Sequence, residues 1–238
     1  MASIAEGAGV TLAYEIECSG VPVLLIHDIA ADRLGLPVVP ECRCIRYDRR
    51  GYGESGAPEP YAGTTVMEQA EDAAALLGGL DVSGAVVTGV GFGALIALDL
   101  ALRHGALVRA VVACDPPLFA FVPDVNEELA EQRRVLQDSM ATGGPDAAVE
   151  AWLAGSADAD AVARAKASQQ GFFADYAGLA SWPVTRAQLR SLTIPLTIVT
   201  SASTPWHVAR AAEALASLVP NVQRRDDGDV SAATAALL

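Results

Sequence analysis

Short runs in which nearly every position is apolar alternate along the chain with longer stretches whose apolar residues recur every three or four positions. The first pattern predicts strands and the second helices. VTLAYEIE (10–17) reads as an early antiparallel strand. PVLLIHD (22–28), RCIRYD (43–48), GAVVTGV (84–90), LVRAVVACD (107–115), IPLTIVTS (194–201) and NVQRRD (221–226) predict six more. Helical spacing covers 65–80, 91–105 and 205–218, with Gly105 as the stop of the second helix and a short helix closing the chain. Strands apolar along their whole length are buried on both faces, as in a parallel sheet with a helix layer on each side. The fold class is therefore α/β.

The stretch 118–190 breaks this rhythm. Helical segments near 124–141, 145–154 and 158–170 follow one another, with Pro-Pro, Gly-Gly and Trp-Pro breaks. They predict a helical lid over 118–190, inserted into a single-domain core made of 1–117 and 191–238.

Composition narrows the classes of function. At 238 residues the chain is long enough for one domain with a full core, and 52% of it is hydrophobic, far from a disordered composition. A net charge of −13 repels phosphate backbones and anionic lipid, so neither nucleic acid nor a membrane is an expected partner. The opening MASIAEGAGV lacks a basic region and an apolar core, and no apolar run is long enough to span a bilayer. Cys18, Cys42, Cys44 and Cys114 match no zinc spacing and read as reduced thiols of a cytoplasmic protein. No motif calls for a metal, a nucleotide or another cofactor. The expected partner is a small hydrophobic molecule; a protein partner or a second copy remains open.

Four motifs in order give the chain a likeness. VLLIH (23–27) is similar to the strand leading to an oxyanion turn. YDRRGYGES (47–55) is similar to an Asp-x-Arg-Gly-x-Gly-x-Ser turn. GVGFG (89–93) stands between strand and helix where a Gly-x-Ser-x-Gly nucleophile elbow belongs, and IPLTIVTS (194–201) is similar to the strand that delivers an acid. Together they resemble the α/β-hydrolase superfamily over almost the whole chain. The resemblance implies a parallel-sheet α/β-hydrolase fold with a lid and a pocket above the strand ends.

It also implies a serine, a histidine and an acid, and those residues are replaced. Val90 is assigned to the elbow, Asp229 to the histidine position, and Thr204, within Ser201–Pro205, to the acid position. No histidine follows His207. Asp115 stands where some members carry the acid, after the sixth strand. The oxyanion turn reads His27-Asp28 where a glycine is expected, which sets a carboxylate beside donors meant for a developing oxyanion. The expected pocket residues are His27, Asp28, Ile29, Val90, Gly91 and Trp206. The catalytic candidates are Asp28, Asp115, Asp229 and His207, because a carboxylate in an apolar pocket has a raised pKa and can move protons. His27 and the three aspartates have purely structural alternatives: His27 and Asp28 as supports of their turn, Asp115 as a backbone acceptor, Asp229 as solvated surface. His104, at a helix end, is expected to be structural. The aromatics Phe119, Phe121, Trp152, Phe172, Phe173, Trp182 and Trp206 either line the pocket or pack the lid.

Three functions follow. The first is non-hydrolytic acid/base chemistry on a small metabolite, of lyase, isomerase or cyclase type, as in a biosynthetic step. The second is a pseudoenzyme that binds a ligand or partner. The third is a hydrolase with a rewired water-activating site.

Overall fold

The computed structural model describes residues 2–179 and 181–238. Eight strands form one sheet: β1 (Ser3–Glu6), β2 (Thr11–Glu17), β3 (Val21–Ile26), β4 (Cys42–Tyr47), β5 (Ala85–Val90), β6 (Val108–Cys114), β7 (Leu196–Val199) and β8 (Val222–Arg225). Their order is β1-β2-β4-β3-β5-β6-β7-β8. β1 and β2 pair antiparallel at one edge, and every pairing from β4 onward is parallel. The seven predicted strands are present within two residues of their expected ends at either terminus. β1, with a single apolar branched residue (Ile4), gave no pattern to read.

The central strands β3, β5 and β6 are almost wholly buried, as their unbroken apolar runs require. One face is covered by α1 (Val66–Gly79) and α2 (Phe92–Arg103). α1 starts with a capping box, in which the Thr65 hydroxyl accepts from the Glu68 N–H and the Glu68 carboxylate accepts from the Thr65 N–H. α2 is buried along ten of its residues, so it belongs inside the molecule. α8 (Val230–Ala235) packs on β5, β6 and β7, where the Thr88 and Thr234 hydroxyls meet at 2.9 Å.

Between β6 and β7 the chain makes α3 (Asn126–Trp152), α4 (Ala159–Ala167), α5 (Gln169–Gly178) and α6 (Arg186–Arg190); α7 (Trp206–Leu218) follows β7. α3 is broken at Gly144, whose φ of 72° precedes Pro145, so the two predicted helices meet there at a kink. α5 and α6 were not resolved by the sequence pattern. The aromatics of this region pack inward: Phe172 contacts Trp152, Phe173 and Tyr176, and the Trp182 indole N–H donates to Asp99 at 2.8 Å. They fasten the helices to the core and do not line the main cavity.

Candidate active site

The C-terminal ends of the parallel strands carry the site, as in open α/β sheets generally. β3 runs out into His27-Asp28, β4 into Asp48-Arg49, β5 into the glycine-rich turn before α2, β6 into Asp115, and β8 into Asp227–Asp229. A cavity of about 600 Å³ opens here. Its walls include His27, Asp28, Leu36, Pro37 and Val90 on one side and Asp227, Asp229 and Val230 on the other. The short connection from Asp28 to β4 supplies the Leu36–Pro37 wall. That connection is held by Asp32, which caps the turn Arg33–Gly35 and is salt-bridged by Arg164 of α4 at 2.6 Å.

The turn between β5 and α2 corrects the assignment of the elbow. Val90 is the last residue of β5, and the strained residue is Gly91, with φ 54° and ψ −121°. The middle of Gly89-Val90-Gly91-Phe92-Gly93 is Gly91, so the nucleophile position belongs to it and Val90 is its neighbour on the cavity wall. Only glycine adopts this conformation without strain. A Cβ placed on Gly91 would fall inside the carboxyl group of Asp28. The Asp28 side chain thus fills the space in which an elbow side chain would start.

Asp28 is also where an oxyanion would sit. Its Oδ1 accepts from the Phe92 N–H and from the Ile29 N–H, both at 2.7 Å. Oδ2 accepts no hydrogen bond among the described residues. Burial pushes the carboxyl up to about 6, against the lowering effects of the two N–H bonds and of Arg49. Ile29 therefore serves the site through its backbone; its side chain packs in the core.

His27 is structural. The Arg49 backbone N–H donates to its Nε2 at 3.0 Å, which leaves Nδ1 to carry the proton and donate to the Asp28 carbonyl at 2.8 Å. Burial, then the Arg49 charge, hold its pKa well below 6.5, so the ring is neutral. The 48–55 turn is also a scaffold. Asp48 accepts from the Arg33 and Glu54 N–H groups at 3.0 Å and pairs with the Arg33 guanidinium, and Ser55 Oγ donates to the Asp48 carbonyl at 2.6 Å. Gly53, at φ 53°, lies against that carboxylate and leaves no room for a side chain.

The other predicted residues divide. Asp229, assigned from sequence to the histidine position, lines the cavity, and its Oδ1 caps α8 by accepting from the Ala232 N–H at 2.8 Å. Asp115, at φ 46°, accepts from the Thr204 hydroxyl at 2.7 Å, so the two residues proposed for the acid position meet each other; neither lines the cavity. Burial raises the Asp115 pKa. His207 is placed elsewhere: it is buried in the first turn of α7, against the Phe119 ring and with Nε2 3.1 Å from Gln132 Nε2 of α3. Trp206 is 52% exposed and lines no part of the cavity. His207 belongs to the contact between α7 and the inserted helices, and Trp206 lies beside it on the surface, because α7 starts several residues beyond the end of β7. Sequence patterns missed Gly91 as the elbow, an assignment that counting the five-residue motif would have given. They also missed Asp227, Arg49 and Asp175, whose roles arise only from tertiary contacts.

Comparison with known proteins agrees with this geometry. The family model described as "Alpha/beta hydrolase family" matches residues 23–236. The chain belongs to the α/β-hydrolase family. Among curated relatives it is 29% identical over 129 residues to the Bacillus subtilis "Uncharacterized hydrolase YraK", covering 52% of this chain and 48% of that protein. It is 36% identical over 110 residues to the Mycobacterium tuberculosis "Putative non-heme bromoperoxidase BpoC", covering 43% and 41%. The matches thus span about half the length of these relatives or less. Among solved structures, a thermophilic esterase from Thermogutta terrifontis superposes with a TM-score of 0.74 at 24% identity, over 95% of this chain and 89% of that one. The enol-lactonase from Burkholderia xenovorans gives 0.72 at 20%, over 94% and 90%. These likenesses establish the fold. Among the described residues, no helix is long and apolar enough to cross a membrane, and no cluster of three ligating side chains could hold a metal ion. The four cysteines are free.

Proposed function

We propose that this chain is an α/β-hydrolase-fold enzyme without a serine nucleophile, in which Asp28 moves a proton on a small, largely apolar molecule held in the cavity. One observation carries this reading: the Asp28 carboxylate occupies both the side-chain space of Gly91 and the two N–H donors beside it. Those donors are committed to Oδ1 and are not free for the oxyanion of an acyl transfer, usually the largest catalytic contribution in that chemistry. Oδ2 is left as the reactive atom. With its carboxyl pushed up to about 6, Asp28 is a stronger base than an ordinary aspartate and also gives its proton back readily. Abstraction of an acidic C–H or O–H proton, followed by its return at another atom, needs nothing more from the chain. Lyase, isomerase and cyclase reactions all fit. Val90, Leu36, Pro37 and Val230 supply the apolar walls.

A second reading has support in the comparisons, since several similar proteins are named hydrolases or esterases. In it Asp28 takes a proton from water, and the water attacks the substrate with no covalent enzyme intermediate. Both readings place Asp28 at the centre.

The test uses a panel of small ketones, β-keto esters and lactones in deuterated water, followed by NMR. Proton transfer predicts deuterium at carbon and loss of at least about 100-fold in rate in D28N. Incorporation of heavy oxygen from labelled water, equally dependent on Asp28, would select the hydrolytic reading. Turnover undiminished in D28N, or covalent labelling by a fluorophosphonate, would overturn both.

A further inference from the structure

The feature left without a role is a charged cluster with no exposure at all, directly behind Asp28. The Arg49 and Asp175 side chains are each 0% exposed, and their guanidinium and carboxylate meet at 2.6 Å across 126 residues of sequence. Asp175 comes from α5, in the inserted helices; Arg49 follows β4 in the core. A buried ion pair contributes little net stability, because desolvation offsets its attraction. Its position therefore matters more than its energy.

Arg49 directs two of its other donors to the turn that carries Asp28. Its Nε donates to the His27 carbonyl and its Nη2 to the Asp28 carbonyl, both at 3.0 Å. Its guanidinium also lies 5.3 Å from the ring centre of Phe92, the residue whose N–H holds Asp28 Oδ1. Asp175 is fixed as firmly. Its Oδ2 also accepts from the Tyr52 hydroxyl at 2.7 Å, and its Oδ1 accepts from Gln69 Nε2 at 2.6 Å, while Gln69 Oε1 accepts from Arg49 Nη1 at 2.7 Å. Tyr52 reaches the same turn, accepting the Ala30 N–H at 3.4 Å.

We propose that Asp175 is a positioning residue for Asp28: acting through Arg49, it fixes the Asp28 turn and neutralises the cation behind that carboxylate, so docking of the inserted helices is coupled to the site. This rests on Asp28 being the proton-transfer group. The charged and titratable groups that face Asp28 are few. Arg49 and Asp175 lie behind it, neutral His27 beside it and the Cys114 thiol below it on β6. Asp32, already bound by Arg164, lies further along the same wall, and across the cavity stand Asp227, bound by Arg225, and Asp229. Among the described residues no other cation lies against it, so the balance between Arg49 and Asp175 adjusts how readily it ionises, on top of the larger effects of burial and of its two N–H bonds.

The signs follow directly. D175N leaves the Arg49 charge unbalanced next to Asp28, stabilises the carboxylate and lowers its titration midpoint by about one pH unit. R49Q leaves Asp175 unbalanced and raises it. D72N breaks a comparably buried pair, in which Arg50 Nε donates to Asp72 at 2.6 Å, but that pair does not touch the Asp28 turn. It costs similar stability and leaves the midpoint in place. The experiment is a pH titration of carbon-13 labelled aspartate carboxyls by NMR in the intact chain, with Asp28 assigned from D28N. Opposite shifts in D175N and R49Q, with D72N unmoved, are the expected result, and either shifted variant alone decides if the other fails to fold. A midpoint in D175N or R49Q within about 0.3 units of wild type, or the same shift in D72N, overturns the proposal. Because the readout is titration and not turnover, its failure is separate from failure of the catalytic role of Asp28.

Discussion

Asp28 and Asp48 follow neighbouring parallel strands, β3 and β4, at the same end of the sheet, and both accept two backbone N–H bonds. They differ in what completes them. Asp48 also receives the Arg33 guanidinium, and Arg33 in turn reaches Glu54 at 2.6 Å, so every oxygen is occupied and the group is sealed. Among the described residues Asp28 has no paired cation and one of its oxygens accepts no hydrogen bond, and the residue lines a cavity. A buried carboxylate with all its partners in place holds a turn together; one with a partner missing stores an unmet demand that a ligand can answer.

The comparison can be broken most severely at Asp48. D48A removes the one fully buried partner of the Arg33 guanidinium, which keeps only the more exposed Glu54 and Glu15, and strands the Arg33 and Glu54 N–H groups; loss of about 3–5 kcal/mol of stability is expected in urea denaturation. Next in size is G91S. The new side chain takes on the strained backbone and collides with the Asp28 carboxyl, at a cost of about 2–4 kcal/mol, and no esterase activity appears. Adding D28G to G91S removes the collision, so the double variant is more stable than G91S alone. That non-additivity, read from a double-mutant cycle, measures the steric conflict directly.

A smaller effect of opposite sign is predicted for D28N. The Asp28 pKa is raised in the folded protein, to about 6 from an ordinary value near 4, so the folded state holds its proton more tightly than the unfolded chain does. Its contribution to stability is complete below pH 4 and is lost as pH rises through 6. An amide there escapes that loss. D28N is thus expected to be more stable than wild type at pH 8, by about 3 kcal/mol, with the gain shrinking to nothing by about pH 3. Thermal melts at three pH values check the sign. Smallest of all is T204V, which removes the hydrogen bond to Asp115 and the one accepted from the Ser201 N–H, both outside the cavity; about 1–2 kcal/mol of stability and no change in turnover are expected.

Much of this was legible in the sequence. Strands buried on both faces must be apolar throughout, so β3, β5 and β6 declared themselves, and the ordered glycine turns fixed the family. Asp28 and Asp229 were legible as cavity residues for the same reason. The shift from Val90 to Gly91 has a local cause: Val90 still belongs to the strand, and the strained turn is at the next residue, the middle of Gly89-Val90-Gly91-Phe92-Gly93. His207 and Trp206 were misplaced because the helix that carries them starts well beyond the strand end and faces the inserted helices. Arg49 and Asp175 could not be paired from sequence, since a contact across 126 residues leaves no periodic trace.

The central claim is that Asp28 is a carboxylate poised for proton transfer in the place of a nucleophile, and its own titration tests that most directly. Carbon-13 NMR of labelled aspartates, with Asp28 identified by its absence in D28N, gives the midpoint without any knowledge of the substrate. A midpoint close to 6, well above that of the exposed aspartates, is the predicted result. A midpoint near 4, as for a solvated carboxylate, would contradict it and leave Asp28 as no more than a support for its turn.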